Sequence, residues 1–238
     1  MELLTVVAPV FGTNCYVVVA DDRTCVIVDA GAGVAPQVRR LVDERGLTPV
    51  AVLATHGHVD HTWDAAELTS AFGVPLVLHA ADAYRLADPF GTLGQVGVSR
   101  DENGPLAQAL ADIGAGPGSY RAPDRVEPFG GPSGPDGRTA DVVLELGGVR
   151  LVARHAPGHT EGSTLYLLDD ETAVALTGDV LFAGSIGRSD LPGGDAAVMS
   201  ATLRDVVRNL PPQTLVLPGH GPTSRLGVEL RANPYLRG

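Results

Sequence analysis

Thr55-His56-Gly57-His58-Val59-Asp60-His61 packs three histidines and one aspartate into a single short stretch, directly after the apolar run Val50-Ala51-Val52-Leu53-Ala54. The apolar run reads as a strand, and the polar cluster as the loop at its C-terminal end. His56 and His58 are two residues apart, so on an extended or turning backbone they can converge on one ion. Asp60 and His61 are then free to face a second. Gly57 is expected to let the backbone turn tightly. Incidental histidines in a polar loop are a poor account of so dense a cluster.

Three further motifs lie downstream, each a short polar sequence after a strand-like run. They are His155-Ala156-Pro157-Gly158-His159-Thr160, Leu176-Thr177-Gly178-Asp179 and Leu217-Pro218-Gly219-His220-Gly221. Pro157 and Gly158 set a turn that presents His159. A carboxylate such as Asp179 has two oxygens and can bridge two ions, whereas a lone aspartate there would read as a helix cap or turn. His155 is expected to be a strand-end residue and His79 a structural one. His56, His58, Asp60, His61, His159, Asp179 and His220 together supply enough imidazole and carboxylate for two adjacent divalent metals. A nitrogen and oxygen donor set suits zinc and accommodates iron or manganese. Two ions roughly 3.5–4 Å apart can hold a bridging water and lower its pKa from about 15.7 to about 7, so that hydroxide is available at neutral pH.

Composition narrows the partners. The chain has 238 residues, 44% of them apolar, and a formal net charge of −11. All 17 basic residues are arginine. That balance lacks the basic footprint of a nucleic-acid binder. No run of about 18 apolar residues suggests a membrane span. The start, Met1-Glu2-Leu3-Leu4-Thr5, has neither a basic nor an apolar leader pattern, which gives the expectation of a cytoplasmic protein. Cys15 and Cys25 each lie in an apolar strand-like run and read as small buried hydrophobes. A disulfide between neighbouring strands is geometrically possible but unexpected in the cytosol.

Along the chain, strand-like runs at 3–8, 16–20 and 24–28 precede a helix-like stretch at 36–45, with Pro near its start and Gly46 at its stop. After the strand at 50–54 come a helix over 62–72 and a strand at 76–78. The second half repeats the alternation, with strands at 149–154, 164–168, 173–176 and 214–217 and a helix over 196–209. Residues 88–138 are rich in Gly, Pro and Asp, with one helix-like piece at 105–113, and read as an insertion or lid segment in a single domain over 1–238. Strands interleaved with helices in both halves predict an α/β layered domain.

Thr55 to His61, His159, Asp179 and His220 resemble, in order, the complete ligand pattern of the metallo-β-lactamase superfamily. Val28-Asp29-Ala30-Gly31 looks like its first motif. The resemblance implies an αββα sandwich, two mixed sheets flanked by helices. It implies that His56, His58 and His159 hold one metal, that Asp60, His61 and His220 hold the other, and that Asp179 bridges. It implies that Asp60 also orients the hydroxide or assists proton transfer, and that Asp29 orients metal-bound histidines. Asn14-Cys15-Tyr16, the stretch from Leu181 to Asp190 and Asn233-Pro234-Tyr235-Leu236 are similar to the short bacterial glyoxalase II-type hydrolases. That likeness implies two divalent ions, zinc above all with iron or manganese as alternatives, and a thioester such as S-lactoylglutathione or a related small acyl-thiol as substrate. It puts Arg188 near the thiol half, where a cation suits a carboxylate. The longer enzymes of that kind carry a C-terminal helical domain with glutathione contacts, so segment 88–138 is expected to supply contacts here. The same ligand pattern also occurs in mononuclear iron persulfide dioxygenases and in lactone or ester hydrolases. A β-lactamase is disfavoured because the commonest zinc lactamases carry a cysteine at the Asp179 position, and a nuclease by the charge. A binding module without activity would be expected to have lost ligands, and all seven are present.

Overall fold

The structure, a computed structural model, describes residues 1–93, 105–134, 137–169 and 173–237. Its strands form two six-stranded mixed sheets. In the first, β1 (Glu2–Val7), β2 (Asn14–Val19) and β3 (Thr24–Val28) form an antiparallel meander, and β4 (Thr48–Leu53), β5 (Leu76–His79) and β6 (Val126–Phe129) continue it in parallel. In the second, β7 (Val142–Leu146), β8 (Val149–His155), β9 (Thr164–Asp169) and β10 (Ala173–Gly178) are antiparallel neighbours. There β11 (Leu215–Pro218) joins β10 in parallel, and β12 (Ser224–Arg225) closes the edge antiparallel to β11. The helices are α1 (Ala35–Arg45), α2 (Val59–Thr62), α3 (Ala65–Phe72), α4 (Pro105–Asp112), α5 (Ala196–Asp205) and α6 (Leu226–Ala232). Parallel neighbours need crossovers: α1 lies between β3 and β4, α2 and α3 between β4 and β5, and α5 between β10 and β11.

Side-chain alternation builds the layers. Along β2 and β3, Cys15, Val17, Cys25 and Ile27 face the helix side with Val38 of α1 and Leu68 of α3. The residues between them, Tyr16, Val18, Val26 and Val28, face the second sheet and pack with Leu151, Tyr166 and Leu176. Both faces of these strands are covered, so they read as continuous apolar runs rather than as half-polar strands. Leu165 and Val216 turn the other way, onto Met199 and Leu203 of α5 and Leu226 of α6. The result is the expected sandwich of two sheets flanked by helices. Cys15 and Cys25 are free and buried in the helix-side layer, Cys25 standing opposite Val19 at the other end of β2 from Cys15. Burial pushes the Cys25 thiol up to about 11.

The structure differs from the sequence reading at three places. The helix expected over 62–72 breaks between α2 and α3. Asp64 sits at the break because its carboxylate accepts the backbone N–H groups of Gly33 and Ala35 (2.9 and 2.8 Å), capping α1 from another element. The expected insertion at 88–138 contributes β6 to the first sheet, in parallel register with β5. Its Pro128 is an unusual strand residue that this edge position accommodates. β7 also went unread, although its residues alternate between half-buried and exposed.

β8, β10 and β11 run in one direction, and so do β3 and β4. The loops after these five strands carry Asp29, residues 55–61, His159, Asp179 and His220.

Candidate metal centre

The first loop is held from below and from behind. Asp29, just past β3, accepts Thr55 N–H at Oδ1 (2.8 Å) and the Thr55 hydroxyl at Oδ2 (2.9 Å). Its own backbone takes the left-handed conformation, φ 62°. Gly57 donates its N–H to Asp82 Oδ2 (2.8 Å). A Cβ at Gly57 would lie 2.9 Å from the Asp82 carbonyl oxygen and 2.9 Å from Arg85 Cδ. Gly57 is therefore required by close approach of the Asp82 and Arg85 turn. His58 stands at the residue before the short α2, which carries Asp60 and His61.

The other loops are built to meet it. Gly158 (φ 136°) passes so close to α5 that a Cβ would lie 2.4 Å from Met199 Cα. His220 follows β11, and its loop hangs on Asn14 and Tyr16. Asn14 Nδ2 donates to the carbonyls of Pro218 (3.0 Å) and Gly221 (2.9 Å), and the Tyr16 hydroxyl donates to Pro218 O (2.8 Å). Asn233 Nδ2 donates to Ser185 O (3.0 Å) and so ties down the stretch that runs to Arg188. The motifs that set the sequence resemblance are thus braces for the site.

The seven residues converge. His56 Nε2, His58 Nδ1 and His159 Nε2 form a triangle with edges of 3.1, 3.2 and 2.9 Å. His61 Nε2 and His220 Nε2 lie 3.2 Å apart, with Asp60 Oδ2 at 3.8 and 3.3 Å from them. Asp179 spans the two groups: Oδ1 is 3.4 Å from His61 Nε2, and Oδ2 is 3.6 Å from both His159 Nε2 and His220 Nε2. Each trio can hold an ion, as can His56, His61 and Asp179 together.

The remaining ring nitrogens assign the tautomers. His159 Nδ1 donates to Arg188 O (2.6 Å) and His220 Nδ1 to Phe11 O (3.1 Å), while His61 Nδ1 faces Asp29 Oδ2 at 3.0 Å as an ion-pair contact without hydrogen-bond geometry. The Thr55 hydroxyl is spent on Asp29, so at 3.1 Å it accepts from His56 Nδ1. In all four rings Nε2 is directed into the cluster. In the His56, His58 and His159 triangle, no arrangement of single protons satisfies every short contact, and a shared cation does. A tetrahedral zinc with Zn–N bonds of ~2.0–2.1 Å separates its nitrogens by about 3.3 Å, close to the edges seen. The donors fit divalent metal.

The charges agree. Burial, followed by the neighbouring His159 ring, pushes His58 down to about 3 and leaves a neutral ligand. Burial, then the adjacent rings of His61 and His159, holds His56 well below its ordinary value. At His61 burial also favours the neutral ring, but the carboxylates of Asp179, Asp29 and Asp60 outweigh it and raise its pKa. Burial opposes the charge on Asp179, yet the histidines around it keep it ionised.

Two residues in the site escaped the sequence reading. Asp82, fully buried, accepts from Gly57 N–H, the Thr160 hydroxyl (2.7 Å), Gly162 N–H (2.8 Å) and Arg85 Nε (3.2 Å). Arg85, also fully buried, donates onward to Glu161 and to Pro192 O (2.9 Å). This pair clamps the His56/His58 loop to the His159 loop. Only the sequence His79-Ala80-Ala81-Asp82 after a strand hinted at it. His155 stands outside the cluster. It stacks on His79 (4.0 Å between ring centroids, 11° between planes), accepts Thr139 N–H (3.0 Å) and donates to Glu161 O (2.7 Å). Arg188 reaches the site through its carbonyl, which receives His159. Its guanidinium is forked onto Asp190 (2.6 and 2.7 Å).

A cavity of about 460 Å³ opens over the cluster, lined by His58, Asp60, His159, Asp179 and His220 and by an apolar wall. A slightly larger hollow, about 520 Å³, lies between Thr139, Arg154, His155 and Asp205. It contains none of the seven residues, and its Arg154 is already paired with Asp141 (2.6 Å). Among the described residues no helix is long and apolar enough to cross a membrane.

Comparison with known proteins agrees with this geometry. The sequence profile of the metallo-beta-lactamase superfamily matches residues 8–220. An uncharacterized protein of Mycobacterium tuberculosis is 36% identical over 236 residues, covering 97% of this chain and 96% of its own. The hydroxyacylglutathione hydrolase GloC of Haemophilus influenzae is 30% identical over 242 residues, covering 99% of this chain and 97% of its own. Among solved structures, the BLEG-1 B3 metallo-beta-lactamase superposes with a TM-score of 0.77 at 29% identity over the whole of both chains. TTHA1623, crystallised in a di-iron-bound form, has a TM-score of 0.72 at 30% identity, covering 98% of this chain and all of its own.

Proposed function

The chain belongs to the metallo-beta-lactamase superfamily, whose fold supports metal-dependent hydrolysis, and we propose that it hydrolyses an acyl thioester at two divalent ions. The observation that carries this reading is the convergence of imidazole nitrogens and two carboxylates at the floor of the 460 Å³ cavity. His56, His58 and His159 would hold one ion and Asp60, His61 and His220 the other, with Asp179 between them. Ions bound there supply a Lewis acid for the acyl carbonyl and a water acidic enough to attack at neutral pH.

The chain's own groups do the rest. Thr55 and Arg188 O hold His56 and His159 with Nε2 directed inward, and the Asp29 carboxylate faces His61 Nδ1 at 3.0 Å. Asp60 lines the cavity and is held ionised: burial opposes its charge, but His61 and His220 outweigh it. It would orient the attacking water or assist its loss of a proton. The partner is a small acyl-thiol rather than nucleic acid or membrane, in keeping with a net charge of −11. The likeness to a hydroxyacylglutathione hydrolase makes S-lactoylglutathione the first thioester to try, and zinc the first metal.

The test is hydrolysis of S-D-lactoylglutathione, and of simple acyl thioesters, by zinc-loaded protein, followed by loss of thioester absorbance. The expected result is chelator-sensitive turnover that Asp179→Ala abolishes, with weaker metal retention in the variant. No cleavage of any thioester by protein holding two metals would overturn the reading. Unchanged activity in Asp179→Ala would overturn the site assignment. One iron per chain together with oxygen-dependent persulfide turnover would move the protein to the dioxygenase alternative.

A further inference from the structure

The cavity above the cluster has two chemically different halves. One is the polar floor already described. The other is formed by Val59, Leu106 and Leu191 on one side and by Phe11 and Phe182 beside His220. Val59 sits between His58 and Asp60, yet its side chain is 2% exposed and belongs to an apolar cluster with Leu106 and Leu110 of α4. Leu191 packs on the same cluster. The part of segment 88–138 that lies in α4 thus backs the metal loop with hydrocarbon, and the apolar surface left open to the cavity belongs to Leu191, Phe11 and Phe182. Phe11 is a second, separate observation. It is a large aromatic left 46% exposed at the cavity, held with φ 56°, a conformation that non-glycine residues rarely adopt. Its carbonyl holds His220, so the strain places ring and ligand together.

The polar part of the lining offers little to a charged or hydroxylated substrate arm. Among the described residues its side chains are those of the metal cluster and Arg188, whose guanidinium is occupied by Asp190. A substrate carboxylate would have to displace that fork, and a hydroxyl set against the wall would lose its partners. We infer that the acyl half of the substrate is an unsubstituted aliphatic chain of several carbons, seated against Leu191, Phe11 and Phe182. This rests on the thioesterase reading and specifies its substrate class. A volume of about 460 Å³ is within the ordinary range of small-ligand pockets, roughly 300–1,000 Å³.

The experiment keeps the thiol constant. N-acetylcysteamine thioesters from acetyl to octanoyl, together with the lactoyl thioester, are assayed with zinc-loaded protein. The value of kcat/KM is expected to rise with each methylene by up to about four-fold, the equivalent of ~0.8 kcal/mol for a buried methylene, until the wall is covered. Lactoyl should fall below butanoyl. Leu191→Gln should flatten the series, and Leu191→Trp should move the optimum to shorter chains. Leu191 is half-buried, so both variants are expected to fold. Turnover that is independent of length, or that favours lactoyl, would overturn the inference and leave the hydrolase reading standing. If no thioester is cleaved, the hydrolase reading falls. The wall is then decided by calorimetric titration of the same protein with acetate, butanoate and octanoate, where equal affinities would overturn the inference as well.

Discussion

Asp82 shows how much of the site depends on a residue that touches no metal. Its carboxylate takes four donors, three from the two metal-site loops and one from Arg85 of its own helical turn, and Arg85 is as deeply buried as it is. Removing one partner of a buried pair leaves an uncompensated charge and costs about 3–5 kcal/mol. Asp82→Ala is therefore expected to lose about that much stability in denaturant titration, and to lose metal from the His56, His58 and His159 group first. Asp82→Asn, which retains an acceptor oxygen, should recover part of the metal content. Full metal occupancy in Asp82→Ala would refute the clamp. Gly219 tests the opposite group. A Cβ there would lie 2.3 Å from Asp179 Oδ1 and 2.6 Å from His61 Cε1. Gly219→Ala is expected to reduce bound metal from two equivalents toward one, as read by elemental analysis. At this scale the ligand inventory was legible, because donor type is written in each residue. The clamp was not, because an aspartate and an arginine after a strand look like any exposed pair until the fold buries them.

At the scale of elements, α4 is the informative piece. Sequence composition placed it in an insertion. Its Leu110 is fully buried with Val10 and Ala32, in the same cluster as Val59 of the metal loop. A large-to-small change in such a core typically costs about 2–5 kcal/mol. Leu110→Ala should fall in that range in thermal or urea unfolding and should weaken metal retention through Val59. A purely peripheral helix would show a small stability loss and unchanged metal content. The strands with both faces covered were read correctly, since uninterrupted Val, Ile and Leu mark them. β6 was missed because Glu127 and Pro128 interrupt the pattern, and its place is secured by pairing with β5, a partner distant in sequence.

For the whole molecule, each trio of donors draws on both sheets. His56 and His58 follow β4 while His159 follows β8; Asp60 and His61 follow β4 while His220 follows β11. Bound ions would therefore staple the two sheets along one edge. Ligands that bind only the folded state raise its stability by mass action. Chelation should lower Tm by about 10 °C, the scale expected for two tight sites in a chain of this length, and an unchanged Tm would argue against the staple. The stacked His79 and His155 provide a second global handle. Burial first, then the His155 ring, depresses His79 from 6.5 to about 4. Because its folded value is depressed, the neutral ring contributes stability that is complete above pH 6.5 and is lost as pH falls from 6.5 toward 4. Phe129, on β6, faces the same ring at 5.5 Å. Denaturant titrations at pH 7.5 and 5 should show a smaller acid-induced loss for His79→Gln than for the parent chain.

The amino-acid sequence by itself determined the donor set, the layered α/β architecture and the family resemblance. These depend on residue type and on short-range period, and both are local. Only the tertiary structure decided that the donors meet, which ring nitrogens face inward, that Asp82 and Arg85 lock the two loops, that Arg188 is committed to Asp190, and that a hydrocarbon wall faces the cluster. Each of those depends on where two sheets and an inserted helix come to rest against one another. That placement follows from packing between residues far apart in the chain, which no local pattern records.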